Sequence, residues 1–114
     1  MNNRKSLPVI FSVLLFNSVS GYALSIKQAE EKANAVCAAC HGKDGVNGVL
    51  PSYPILAGQY PDYLTQALMD YKSGARKNAV MGGIASTLSK EDMIGLAKYF
   101  ASLPTPLNDK NRTD

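Results

Sequence analysis

The chain has no tryptophan, one histidine and two cysteines. Two cysteines are too few for the disulfide framework that props up many small exported domains. A structural zinc site needs four Cys or His ligands, and three such residues are all this chain offers. No segment alternates apolar and polar residues as a half-buried strand does, and no internal repeat is present. The longest apolar stretch, Leu7 to Phe16, runs about ten residues, well short of the ~20 that cross a bilayer. A basic stripe is missing as well: beyond residue 23 the only tight basic pair is Arg76-Lys77, and acids and bases are otherwise mixed along the chain. That distribution argues against a nucleic-acid partner.

What is present begins with an N-terminus that has the layout of an export leader. Arg4 and Lys5 precede the apolar stretch, and small or polar residues follow up to Gly21-Tyr22-Ala23. This pattern predicts a signal peptide over residues 1–23, cleaved after Ala23. Cleavage removes Arg4 and Lys5 but no acid, which lowers the net charge from +3 to +1. The basic balance of the whole chain is therefore a property of the leader. The length of 114 residues suits one small domain, expected over 24–104, with a polar tail over 105–114.

Helix signals dominate the rest. Ser25 and Gln28 form a capping-box pattern, which predicts a helix from about Ile26 to Ala39 whose small residues Ala29, Ala33 and Ala35 let another helix approach closely. Residues 42–58 are rich in glycine and proline and read as a long, ordered loop, because Val49, Leu50, Tyr53, Ile55 and Leu56 need something to pack against. Pro61 suits a first helical position, Tyr63, Leu64, Ala67, Leu68 and Tyr71 recur at helical spacing, and Gly74 is a stop signal. A further break, GARKNAVMGGIAST, leads to Ser89 and a last helix from Lys90 to about Ser102, ended ahead of Pro104. The expectation is an all-α fold of three main helices joined by long Gly/Pro loops. Its apolar core is thin for the length, a shortage that one large bound apolar group would resolve.

Both cysteines and the histidine fall within VCAACHGKDG, as Cys37, Cys40 and His41. Residues at i, i+3 and i+4 share one face of a helical turn. Two thiols so placed can bond the two vinyl groups along one porphyrin edge, and the imidazole that follows faces the iron; C-x-x-C-H signals this covalent haem attachment. The competing reading is a thiol–disulfide pair, which the exported compartment would suit, but such pairs open a helix in a strand-rich fold. Here the motif closes a predicted helix in an all-helical chain. With one histidine available, the second axial ligand has to come from another residue type, and methionine is the usual partner. Met69 and Met93 sit within predicted helices, whereas Met81 lies in a predicted irregular segment beside Gly82 and Gly83, which makes Met81 the candidate.

With these residues in hand, the chain resembles a class I cytochrome c, in particular small bacterial monohaem proteins of the c4, c5 and c553 kind. The resemblance runs from the first helix to Leu103 and rests on CAACHG, on PILAGQ followed by YL and KSGAR, on Met81 with LSKED behind it, and on LAKYFASL. It implies one haem c, thioethers at Cys37 and Cys40, axial ligation by His41 and Met81, and a hydrogen bond from the His41 ring to the Pro54 carbonyl. It also implies a close crossing of the first and last helices, with Ala29 and Ala33 against Leu96 and Tyr99 and with Gly95 permitting closer approach. Ala33 stands where many relatives carry an aromatic residue. Arg76 reads either as a partner for a haem propionate or as a solvated cation, and Tyr53 and Tyr60 are open in the same way.

The function this implies is one-electron transfer between periplasmic or membrane-bound redox partners, without catalysis. The rivals are a haem subunit of a dehydrogenase or oxidase, an enzyme or gas sensor if Met81 does not ligate, and a thiol oxidoreductase without haem. Neither donor, acceptor nor oligomeric state, monomer or loose dimer, is encoded in a recognisable motif.

Overall fold

The computed structural model describes residues 5–12 and 23–107. Among the described residues five helices follow one another: α1 (Ile26–Val36), α2 (Ala38–His41), α3 (Pro61–Ser73), α4 (Ala79–Ser86) and α5 (Lys90–Ala101). No strand occurs among the described residues, and none of their helices is long and apolar enough to cross a membrane. Most of the expected leader and of the expected tail lies outside the described residues. In the part of the leader that is described, Leu7, Val9, Ile10 and Phe11 are exposed and add nothing to the core.

The helix starts follow from local chemistry. Ser25 accepts from the Gln28 N–H while the Gln28 side chain accepts from the Ser25 N–H, and Ser89 with Asp92 repeats the arrangement at the head of α5. Pro61 opens α3, which stops at Gly74. Two expectations need correction. The first helix ends at Val36 rather than Ala39: Cys37, at φ −113°, breaks its course, and a separate turn, α2, carries Cys40 and His41. The segment expected to be irregular contains α4, because the Asn78 side chain accepts from both the Val80 and Met81 N–H groups and so caps a helix that its two glycines disfavour.

The core forms where α5 meets α1 and α3, while α4 packs on α3. Ala29 and Ala33 of α1 are buried together with Leu96, Ala97, Tyr99 and Phe100 of α5, so these two small residues do set the close crossing, whereas Ala35 is exposed and takes no part in it. At Gly95 the nearest neighbour is the segment entering α1: a Cβ there would lie 2.7 Å from the Leu24 Cβ. Lys72 of α3 donates to the Leu88 carbonyl and fastens the α4–α5 connection.

An ion pair of 2.8 Å between Lys32 and Asp92 links α1 to the start of α5. Partial burial pushes the Asp92 carboxyl up, but the Lys32 ammonium and the Ser89 N–H together outweigh it and hold its pKa below the ordinary value. A carboxylate depressed in the folded state stabilises the fold above its unfolded pKa and loses that contribution as pH falls through the folded one. Asp92→Asn is therefore expected to be less stable than the parent by about 0.5–1 kcal/mol near neutral pH. The gap should close below a pH of about 4. Urea midpoints measured across that range test it; a gap unchanged in acid refutes the pairing.

Candidate functional site

One cavity of about 500 Å³ opens between α2, α3, α4, α5 and the loop over residues 52–59. Cys37, Cys40, His41, Pro54, Arg76 and Met81 all line it, so a single site gathers the thiols, the imidazole and the methionine that the sequence pointed to, with Pro54 and Arg76 beside them. Its volume falls in the roughly 300–1,000 Å³ range of cofactor sites. Apolar side chains make up most of the remaining wall, including Ile55, Leu56, Leu64, Leu68, Ile84 and Leu96.

The first wall is built from the break after α1. Both the Cys40 and His41 N–H groups donate to the Cys37 carbonyl, at 3.2 and 3.0 Å, which winds the three residues into one turn. Gly42 then turns the chain at φ +84°, where a Cβ would stand 2.3 Å from the Asn47 carbonyl oxygen; no other residue fits behind the histidine. Asp44 steadies the same bend by accepting from the Val46 and Asn47 N–H groups. Those amides, Asn47 first, hold its carboxyl below the usual range.

His41 is buried, 7% exposed, and its Nδ1 donates to the Pro54 carbonyl at 3.1 Å. That bond settles the tautomer: the proton sits on Nδ1 and the lone pair on Nε2 is left for a metal. The Tyr53 ring lies beside the imidazole at 6.1 Å between centroids.

Among the three methionines weighed, Met81 alone lines the cavity. Met69 is exposed, and Met93 is 2% exposed within the helical core. Met81 is the third residue of α4, so its side chain is presented by a capped helix and not by an irregular glycine segment. A Cβ on Gly82 or Gly83 would meet no protein atom nearer than 3.6 Å, so close packing of protein on protein does not require them.

Arg76 is exposed at the rim. Its guanidinium stacks over the Tyr71 ring at 4.9 Å and donates to the Tyr63 hydroxyl at 3.4 Å. Neither tyrosine contact was legible in the sequence, because both cross from the turn after α3 back onto α3 itself. Of the loop residues that needed something to pack on, Tyr53, Ile55 and Leu56 face the cavity, while Val49 and Leu50 are exposed. Tyr60 does not line the cavity.

The site chemistry separates the candidate reactions. Cys37 and Cys40 are both free. Burial pushes the Cys37 thiol up to about 11, so it is protonated at neutral pH and a poor attacking group, the reverse of a thiol–disulfide catalyst. Among the described residues no three His, Cys, Asp or Glu side chains form a metal-ligand group. A haem fits what is present: an apolar cavity of suitable volume, two half-buried thiols on its wall, an imidazole with a fixed tautomer and a thioether sulfur.

An all-helical frame around such a cavity has the form of a c-type cytochrome, and comparison with known proteins agrees. The cytochrome c family profile matches residues 26–104. Cytochrome c4 from Pseudomonas aeruginosa is 40% identical over 96 residues, covering 82% of this chain and 47% of that one. A thiosulfate dehydrogenase electron acceptor from Thiomonas intermedia is 44% identical over 69 residues, covering 60% of this chain and 32% of that one. The crystal structure of reduced recombinant cytochrome c4 from Pseudomonas stutzeri superposes with a TM-score of 0.62 at 31% identity, over 74% of this chain and 52% of that one. The chain belongs to the cytochrome c family, and covalently bound haem c comes with that membership. It spans about half the length of these relatives or less.

Proposed function

We propose that this chain is a monohaem electron carrier in which Cys37 and Cys40 hold the haem by thioethers and His41 and Met81 take the two axial positions. The observation that carries the reading is a single cavity walled by both thiols, by an imidazole already committed through Nδ1 to Pro54, and by one methionine of the three. When bound, the haem supplies one-electron exchange between ferric and ferrous iron.

The protein's own residues set the conditions for that exchange. The Pro54 carbonyl orients the His41 ring and raises its basicity; the Met81 sulfur and the apolar walls favour the reduced state. With both axial positions held by side chains no site is left for substrate, which supports transfer without catalysis. Arg76 at the rim would meet a propionate. One C-x-x-C-H motif supports one haem.

Residues 1–23 would direct export and be removed, which puts the carrier in the periplasm. A relative named as the electron acceptor of a dehydrogenase supports a comparable class of partner here, a redox enzyme or membrane complex. A mature charge of +1 makes such docking only weakly dependent on salt.

The test is a visible spectrum of protein exported in a host that matures c-type haem, taken oxidised and reduced. Colour should remain with the polypeptide through denaturation and acid-acetone extraction, and the intact mass should fit a chain starting at Leu24 plus one haem. A colourless product with two titratable thiols from such a host sinks the proposal.

A further inference from the structure

The bond that orients His41 is not secured where it forms. Pro54 is exposed and has no N–H of its own, and upstream the Tyr53 N–H bonds only to Leu50 within the same loop. The ties to the helical frame come just downstream. The Leu56 and Ala57 N–H groups both donate to the Gly45 carbonyl, at 2.8 and 3.1 Å, and the Gly58 N–H donates at 2.9 Å to the carbonyl of Phe100 near the end of α5.

The chain beyond α5 then closes over this point. A Cβ on Gly58, at φ +71°, would stand 2.1 Å from the Thr105 methyl carbon, and one on Gly45 would stand 3.0 Å from the Phe100 ring. Ala57 between them is fully buried. The Pro54 carbonyl thus hangs from an anchor that the α5 terminus and Thr105 hold shut.

We propose, resting on the haem reading above, that Thr105 and Phe100 are positioning residues for His41: through Gly58 and Gly45 they clasp the loop so that the Pro54 carbonyl stays at Nδ1. Loosening the clasp lengthens that hydrogen bond. The imidazole then gives less electron density to the iron, the ferric state loses stabilisation, and the reduction potential rises. The Nδ1 proton also exchanges faster with solvent.

The test uses full-length exported holoprotein and two readouts, the reduction potential and the exchange rate of the His41 Nδ1 proton by NMR of the reduced state. Thr105→Gly removes the cover, and Gly58→Ala forces the cover off. Each is expected to raise the potential and to speed exchange roughly five- to tenfold, the scale of one weakened hydrogen bond. Thr105→Val, which keeps the methyl and loses only the hydroxyl that caps the Leu107 N–H, should match the parent in both. If Gly58→Ala fails to fold, Thr105→Gly decides alone.

A purely structural role would lower the melting temperature and leave both readouts where they were, and that result overturns the clasp while the haem reading stands. A parent protein without covalent haem overturns both.

Discussion

Exported where haem is normally attached, the Cys37→Ala/Cys40→Ala protein should carry no pigment after denaturation and should have no cooperative thermal transition. The reason lies in the size of the cavity relative to the core around it. Of the eleven buried apolar residues among those described, five are alanines: Ala29, Ala33, Ala57, Ala85 and Ala97. Alanine burial removes little area from water, so Leu64, Leu88, Met93, Leu96, Tyr99 and Phe100 carry most of the hydrophobic term.

Against them stands a cavity of about 500 Å³. Its walls are largely apolar and open to water, so without a group to cover them their share of the hydrophobic term is lost. Only roughly 5–15 kcal/mol separates a folded domain from its unfolded ensemble, a margin that so small a core does not spare. Each cysteine replaced singly removes one tether and should give a coloured, less stable product; replacing both removes attachment altogether. Haem staining after denaturing electrophoresis and a far-UV melt read the two effects. A colourless double variant that melts cooperatively near the parent temperature shows that the polypeptide supports its own fold.

That dependence explains which features the sequence disclosed. Signals confined to a few residues were readable: the Ser25 and Ser89 caps, the Gly74 stop, and the spacing of Cys37, Cys40 and His41. Small residues at helical spacing mark a face of α1 that another helix can approach, and the family resemblance implies that this helix is α5. What escaped depends on partners distant in sequence. Helix α4 is not legible in the sequence because Gly82 and Gly83 each cost about 1 kcal/mol in a helix, a penalty that outweighs the one local favourable sign, Asn78. Its contact with α3 supplies what local propensity lacks.

The end of α1 falls three residues earlier than the sequence predicts because nothing in VCAAC forbids a helix; the break at Cys37 is instead the backbone adjustment that sets Cys40 and His41 on their own turn. At Gly95 the nearest neighbour is Leu24, which precedes α1, so the packing there brings in a segment that helical spacing does not include. The environment of Arg76, between Tyr63 and Tyr71, depends on how the turn after Gly74 folds back, which side-chain spacing alone does not give.

The second large effect is expected at Met81. In Met81→Ala holoprotein the methionine-to-ferric charge-transfer band should vanish, and the potential should fall by tenths of a volt, well inside the ~0.8 V range that axial ligands command. The fall follows from losing a sulfur donor that favours ferrous iron and admitting water to a position the side chain had filled. Carbon monoxide should then bind the reduced protein rapidly, where the parent binds it slowly.

The other two methionines make sharp controls because their surroundings differ. Met69→Ala changes an exposed side chain and should leave band, potential and stability near the parent values. Met93→Ala empties a position that is 2% exposed in the α5 core and should cost about 2–5 kcal/mol of stability while the band persists. A variant set in which the band follows Met69 or Met93, or survives the loss of Met81, removes the axial assignment. It would also remove the argument that the iron has no position open to substrate, and with it the ground for preferring electron transfer over catalysis.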